Sequence, residues 1–478
     1  MESTIDNIPL VIDLDGTLLR SDLLLETILL FCKEHPHRIW QLLWWFMHGK
    51  VRLKTELIKS TKLDVSLLPY DSAVIEFIQT ERKQGRKIVL ATASHRILVE
   101  KIADHLQLFD EIIATDTGQN LAAHHKRDVL LQKFGDKGFD YAGNSRADIP
   151  VWTKARHAYV VNPELGVKTQ AHKLGNVKNV LGTYKPTLRQ WKKALRLHQW
   201  LKNALIFIPL LAAHRINELP LVLNTSLAFL LFGLCASSVY ILNDLLDLND
   251  DRHHPTKCRR PFAAGNISIK AGLITFPLLL ITAFSGAIQF LPIKFVIVLA
   301  VYYAVTIAYS FVLKRWMIVD VITLAALYTL RIIAGVKAVE LNTSFWMLAF
   351  SMFIFLSLAL IKRYTELHLA RKKGETKKLQ GRGYYPSDLE MISSLGAASG
   401  YMSVLVLALY INDPIAITLY RYPNLIWFAC PLLLIWISRV WMLTHRGHMH
   451  DDPVIFAIKD RASLIIGILF FIVFWFAI

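Results

Sequence analysis

From Trp200 to the C-terminus, long apolar runs recur with short charged loops between them. A helix needs about 20 such residues to cross the hydrocarbon core, where every backbone polar group must be bonded internally. The second half of the chain therefore reads as an all-α polytopic membrane bundle. Candidate spans lie near 199–213 (short), 224–243, 272–291, 293–312, 319–338, 343–361, 395–412, 424–443 and 462–478, about nine transmembrane helices in all. Up to about residue 190 the apolar stretches are short and broken by charges, as in a water-soluble domain.

The charge distribution predicts an orientation. Net charge is +17, and the basic residues gather in alternate loops: Arg252, Lys257, Arg259 and Arg260; Lys314 and Arg315; Lys362 to Arg382; Arg446 and Lys459. The other loops hold little beyond Arg215, Lys294, Lys337 and Arg421. That bias places the N-terminus and the acid-rich loops in the cytoplasm of a bacterial-type inner membrane and suits anionic headgroups better than nucleic acid. Met1–Pro9 is polar and the first apolar run, Leu10–Leu14, ends in acids, so no cleavable signal is expected. Cys32, Cys235, Cys258 and Cys430 are scattered without metal or disulfide spacing.

In the first part, residues 8–15, 86–92, 109–115, 139–143 and 156–161 read as strands. Helical segments such as Ala73–Gln84, Leu98–His105 and Lys126–Phe134 separate them. Alternation of this kind predicts an α/β, Rossmann-like parallel sheet with its site at the strand C-terminal ends. An all-helical insert, about 20–70, follows the first strand as a cap. Its Trp-rich centre, Arg38–Lys50, either packs a core of its own or lies on the bilayer surface. Residues 1–182 form this domain, 183–197 a basic juxtamembrane linker and 198–478 the membrane domain.

Asp13-Leu14-Asp15-Gly16-Thr17 ends the first strand. A carboxylate there can attack phosphorus, and a second acid two residues on can protonate the leaving oxygen and later activate water. The stretch resembles the haloacid dehalogenase superfamily, whose remaining motifs follow in order. The resemblance gives Thr92 the task of holding a phosphate oxygen and Lys126 that of neutralising charge. It places Mg²⁺ ligation on Asp13, Asp15 and the segment Gly143-Asn144-Ser145-Arg146-Ala147-Asp148. An amide, Asn144, stands where that family has an aspartate, which shifts metal binding onto Asp148.

Asn243-Asp244-Leu245-Leu246-Asp247-Leu248-Asn249-Asp250-Asp251 lies at the end of a span. Positions 243, 247 and 251 share one helical face, and such acids at a membrane boundary are costly without a cation. Oxygen ligands of this type favour Mg²⁺ bridging to substrate phosphates. The segment is similar to the first motif of the UbiA superfamily. His198-Gln199-Trp200-Leu201-Lys202-Asn203, Lys257, Arg259-Arg260-Pro261, Tyr309-Ser310 and Lys314-Arg315 agree with that resemblance. Prenyltransferases of the superfamily carry a second acidic motif after the sixth span. Here that loop begins Lys362-Arg363-Tyr364-Thr365-Glu366 and is mostly basic.

The basic loop resembles the branch typified by decaprenyl-phosphate phosphoribosyltransferase, as do Arg331 in mid-span and His450-Asp451-Asp452-Pro453. The resemblance implies one Mg²⁺ in each domain, held in the membrane domain by Asn243, Asp244, Asp247 and Asp251. It implies two substrates, a polyprenyl phosphate and phosphoribosyl pyrophosphate. Their anions fall to Lys202, Asn203, Lys257, Arg260, Tyr309, Lys314, Arg331, Lys362 and Arg363. Arg331 pairing with Asp320 remains an alternative. The N-terminal domain would then remove the 5-phosphate from the product. The other enzymatic reading is a prenyltransferase using an isoprenyl diphosphate beside an independent phosphatase, and a third makes the soluble domain an interaction module.

Overall fold

The computed structural model describes residues 8–116, 121, 123–182, 185–379, 381–449 and 453–478; His450, Asp451 and Asp452 lie outside them. The chain forms two compact units. One comprises Met1–Arg196 together with Tyr240–Pro277; the other comprises Leu197–Val239 and Leu278–Ile478. The segment Tyr240–Pro277, expected in the membrane domain, thus clusters with the N-terminal part.

The first unit is built on a parallel sheet of six strands among the described residues, in the order β3-β2-β1-β4-β5-β6. These are β1 (Leu10–Ile12), β2 (Ile88–His95), β3 (Glu111–Thr115), β4 (Asp140–Gly143), β5 (Ala158–Val161) and β6 (Val177–Leu181). The first five fall where the apolar runs predict them. Strand β6 was not foreseen, because Val177-Lys178-Asn179-Val180-Leu181 is polar enough for an edge. Strand β1 lies between β2 and β4, and the chain leaves it on opposite sides of the sheet order, which opens a crevice at its C-terminal end. Leu10, Val11 and Ile12 are fully buried, so β1 is fixed on both faces.

The cap is helical as expected: α1 (Leu23–Glu34), α2 (Trp40–Met47) and α3 (Lys50–Ser60). Asp22 caps α1 by accepting from the backbone N–H groups of Leu24 and Leu25. In α2 Trp45 is buried against Phe31, Leu53 and Leu57, whereas Trp40, Leu43, Trp44, Phe46 and Met47 are exposed. A core of its own therefore accounts for only one face of this helix.

The second unit is helical and the protein is a multi-pass membrane protein. Among the described residues, seven helices are long and apolar enough to cross a bilayer. The bent pair Pro453–Lys459 and Arg461–Ala477 makes eight if counted as one span. The expectation of about nine is corrected at 199–213. That stretch forms a 3₁₀ segment, Leu197–Phe207, and a short α-helix, Ile208–Ala212, too short to span. Asp320 and Arg363, both fully buried, pair at 2.7 Å within this unit, and Tyr384 donates to Asp320 at 2.6 Å.

Candidate active sites

The crevice at the end of β1 gathers the first motif. The Lys126 Nζ donates to Asp13 Oδ1 at 2.7 Å and to the Tyr141 hydroxyl at 2.8 Å, and lies 3.6 Å from Asp148. Burial pushes the Asp13 carboxyl up to about 7, against the pull of Lys126. It pushes Asp15 up to about 6, with the Asp22 charge adding to the rise. Burial works against the Lys126 charge, but Asp13 and Asp148 outweigh it and its pKa ends raised. Asp15 accepts from the backbone N–H of Leu23 at 2.8 Å and from the Ser94 hydroxyl at 2.6 Å. Thr92 is buried, and its hydroxyl accepts the Ser94 N–H at 3.0 Å. Gly16 has φ +77°, and a Cβ there would come within 2.1 Å of the Asn144 amide nitrogen, so the turn admits only glycine.

Asp148 has a different task from the one expected. Its Oδ2 accepts from the N–H groups of Asn144 and Ser145 and from the Ser145 hydroxyl, while Oδ1 accepts from Tyr141. With both oxygens committed, it braces the loop that presents Asn144. The expectation that Asp148 carries the metal charge is corrected accordingly. Asn144 lines the same crevice as Asp13, its side-chain oxygen accepting from the Thr17 hydroxyl at 3.4 Å.

The acidic segment of the membrane domain also belongs to the first unit. The Leu219–Leu246 helix ends just before Asp247, and Leu248–His253 restarts after it. The i→i−4 bonds from Asp247 N–H to Asn243 O (2.9 Å) and from Asp251 N–H to Asp247 O (2.8 Å) persist across the break. The side chains nevertheless part. Arg260 bridges Asp244 (3.0 Å) and Asp251 (2.8 Å), and Arg196 also pairs with Asp244. Lys33 of α1 bridges Asp247 (2.7 Å) and Asp250 (2.6 Å). The single face expected for positions 243, 247 and 251 is thus corrected to two pairs, because the break re-aims Asp247. Burial raises the Asp251 carboxyl to about 6, although Arg260 pulls it down. Lys257 is exposed on the next 3₁₀ turn.

In the second unit Arg331 is buried. Its Nε donates to Asn203 Oδ1 (2.9 Å), Nη1 to the Leu327 carbonyl (2.5 Å) and Nη2 to the Tyr302 hydroxyl (3.1 Å). The rings of Phe232, Tyr302 and Tyr328 surround its guanidinium at 5.0–5.5 Å from their centroids. Lys202 lies 5.5 Å from the Tyr328 ring. The alternative pairing of Arg331 with Asp320 is not what forms, since Asp320 takes Arg363. Arg363 is correspondingly corrected from an anion-binding candidate to a structural ion pair, which also engages Glu366. Tyr309 accepts from Arg382 at 3.0 Å; Lys314 and Lys362 are half-buried.

Residues 204–463 match the UbiA prenyltransferase family model, more than half of the chain. The chain belongs to the UbiA prenyltransferase family. Its residues 10–152 match the haloacid dehalogenase-like hydrolase model, so this UbiA-family chain joins a transferase to a hydrolase. The chain is 36% identical to the uncharacterized protein y4nM of Sinorhizobium fredii, over 97% of its own length and 89% of that protein. It is 37% identical to the nodulation protein NoeC of Azorhizobium caulinodans, over 57% of its length and 88% of that protein. Its identity to the decaprenyl-phosphate phosphoribosyltransferase of Mycolicibacterium smegmatis is 31%, over 57% of its length and 87% of that protein.

The donor chemistry of this UbiA-family chain fits a hard divalent cation in both places. Asp13 and Asp15 offer carboxylate oxygens, and Asn144 an amide oxygen, along one crevice, with Lys126 paired to Asp13. Asp244, Asp247, Asp250 and Asp251 outnumber Lys33, Arg196 and Arg260. Among the described residues the acids come in pairs and no three of them converge on one point. That is compatible with an ion that takes its other ligands from substrate and water. Ser94, Tyr141, Lys33 and Tyr302 escaped the sequence reading, although Ser94 lies two residues beyond Thr92 and Tyr141 two residues before Gly143.

Proposed function

We propose that the chain transfers 5-phosphoribose from phosphoribosyl pyrophosphate to a polyprenyl phosphate, and that its hydrolase part then removes the 5-phosphate. The observation that carries this reading is the similarity to decaprenyl-phosphate phosphoribosyltransferase along 87% of that protein's length. The basic loop from Lys362 to Arg382, where a second acidic motif would be expected, supports it.

In the transfer, Asp244, Asp247 and Asp251, with Asn243, are the residues that would hold Mg²⁺ on the donor's diphosphate; Arg260 and Lys257 would meet its remaining charge. The bound ion would lower the cost of the departing pyrophosphate. Arg331, oriented by Asn203 and Tyr302, holds the lipid phosphate with Lys202, while Lys314, Lys362 and Tyr309 add polar contacts at the membrane boundary. An oxygen of the lipid phosphate bonds to C1 of the ribose as the C1–pyrophosphate bond breaks. In the hydrolase step Asp13 attacks phosphorus, and Asp15 gives its proton to the leaving O5. Lys126 and Thr92 hold the phosphoryl oxygens. Asp15 then takes a proton from the water that cleaves the aspartyl-phosphate. Asp13, Asp15 and Asn144 are the residues that would hold Mg²⁺ there. Both reactions face the cytoplasm on the charge bias of the loops.

Purified protein supplied with Mg²⁺, polyprenyl phosphate and ribose-labelled phosphoribosyl pyrophosphate should carry label into the lipid phase. No transfer, together with turnover of an isoprenyl diphosphate, would establish the prenyltransferase alternative that the family's name favours.

A further inference from the structure

The crevice that holds Asp13 is a cavity of about 400 Å³, well above the volume of a phosphate group and within the ~300–1,000 Å³ range of small-molecule sites. Only part of its lining comes from the hydrolase motifs. Gly265, Asn266, Ser268, Ile269 and Lys270 also line it, and these belong to the segment that follows the acidic motif and opens the next membrane-spanning helix, Ile269–Phe290.

This segment is held firmly in the unit. Arg252 makes two bonds to Glu26 of α1, at 2.6 and 3.1 Å, and both side chains are at least nine-tenths buried. The same guanidinium donates from Nε to the Ala263 carbonyl at 3.0 Å, which fixes the backbone just ahead of the wall. Gly265, at φ +67°, packs so close that a Cβ would lie 2.9 Å from the Cβ atoms of Arg20 and Pro69. A buried two-pronged ion pair between residues 226 positions apart is not a chance surface touch.

The wall also has a distinct chemistry. Lys270 stands 3.6 Å from Asp22 and 3.7 Å from Glu164, beyond a tight hydrogen bond to either, with its side chain more than half exposed. Asn162, whose amide also donates to Asp71 at 2.8 Å, and Asn266 each carry donor and acceptor atoms, and among the described residues no aromatic ring lines the cavity. Alternating donors and acceptors suit neighbouring hydroxyls, whereas an aryl ring would find no stacking partner among these residues.

We propose that residues 265–270 are the specificity wall of the hydrolase: with Asp22, Asn162 and Glu164, they bind the hydroxyls of a polyol whose phosphate sits on Asp13. Lys270 and Asn266 are the direct contacts, and Arg252 is a positioning residue. This rests on reading the N-terminal part as a phosphohydrolase, and not on the identity of the transferase's donor.

The test uses the full chain in detergent with Mg²⁺ and four probes: ribose 5-phosphate, glycerol 3-phosphate, glucose 6-phosphate and p-nitrophenyl phosphate. The quantity read is the ratio of kcat/KM for each polyol ester to that for the aryl ester. In Lys270→Ala and Asn266→Ala the ratio should fall at least fivefold through KM, and Lys270→Arg should restore part of it. Arg252→Met should lower it as well. Aryl-ester turnover that disappears in Asp13→Asn reports that each variant is folded and that the hydrolase is the source. A ratio that stays at the wild-type value in both alanine variants overturns the wall. Absence of hydrolysis of all four esters by the wild type overturns it together with the phosphohydrolase reading. A fall for glycerol and glucose esters without a ribose 5-phosphate preference keeps the wall and removes the ribose assignment.

Discussion

In the proposed hydrolysis Asp13 attacks only as a carboxylate, whereas Asp15 must begin with a proton. Burial pushes both carboxyls up, Asp13 to about 7 and Asp15 to about 6, which suits a protonated Asp15 and works against a charged Asp13. A divalent cation beside Asp13 would favour its charged form. The folded state holds more protons on these acids than the unfolded state between about 4 and 7, so their contribution to metal-free stability falls as pH rises through that window. Metal-free protein should therefore gain thermal stability from Mg²⁺ more at pH 7.5 than at pH 5.5. The apparent Mg²⁺ affinity should weaken up to about tenfold per pH unit below 7, as protons compete for the ligands. Mg²⁺ activation that is flat across this range would contradict the assignment. Asp320 makes a second prediction at this scale. Replacing it with Ala leaves Arg363 buried without its main partner, which should cost about 3–5 kcal/mol, read as a lower unfolding midpoint in detergent. Of these residues, Asp13 and Asp15 were legible from a motif five residues long. The Asp320–Arg363 pair was not, because nothing local distinguishes an arginine that binds substrate from one that neutralises an acid 43 positions away.

Among the elements, α2 exposes Trp40, Leu43, Phe46 and Met47, with Arg38 before it and Lys50 and Arg52 after it. An apolar helix face with basic flanks suits the interface of an anionic bilayer. In nanodiscs with brominated lipid, tryptophan emission should be quenched, and Trp40→Phe should reduce that quenching; equal quenching in the variant would argue against insertion of this helix. The strands of the parallel sheet could be placed from apolar runs alone because both faces of the sheet are covered. Strand β6 escaped because an edge strand need not be apolar. The 199–213 stretch misled in the other direction: its hydropathy is that of a span, but its backbone is mostly 3₁₀, a geometry that hydropathy does not encode. The acidic segment was found by its composition, yet its grouping was not. The break before Leu248 sends Asp247 to Lys33 while Asp244 and Asp251 share Arg260.

For the whole molecule, the domain boundary drawn near residue 183 describes the sequence families but not the compact units, since Tyr240–Pro277 joins the hydrolase part. The contacts responsible, Glu26–Arg252 and Lys33–Asp247, link residues more than 200 positions apart, beyond the reach of any periodicity. They tie the segment bearing Asp244, Asp247 and Asp251, the acids proposed to serve the transfer, to helix α1 of the cap. Asp244→Asn and Asp251→Asn should each lower label transfer to lipid by about 10²-fold or more while the aryl-ester hydrolysis persists. The most direct test of consecutive action is the mass of the lipid product made by the wild type and by Asp13→Asn from polyprenyl phosphate and phosphoribosyl pyrophosphate. The account predicts dephosphorylated ribosyl lipid from the wild type and a product heavier by one phosphate from the variant. Dephosphorylated product from purified Asp13→Asn would contradict it.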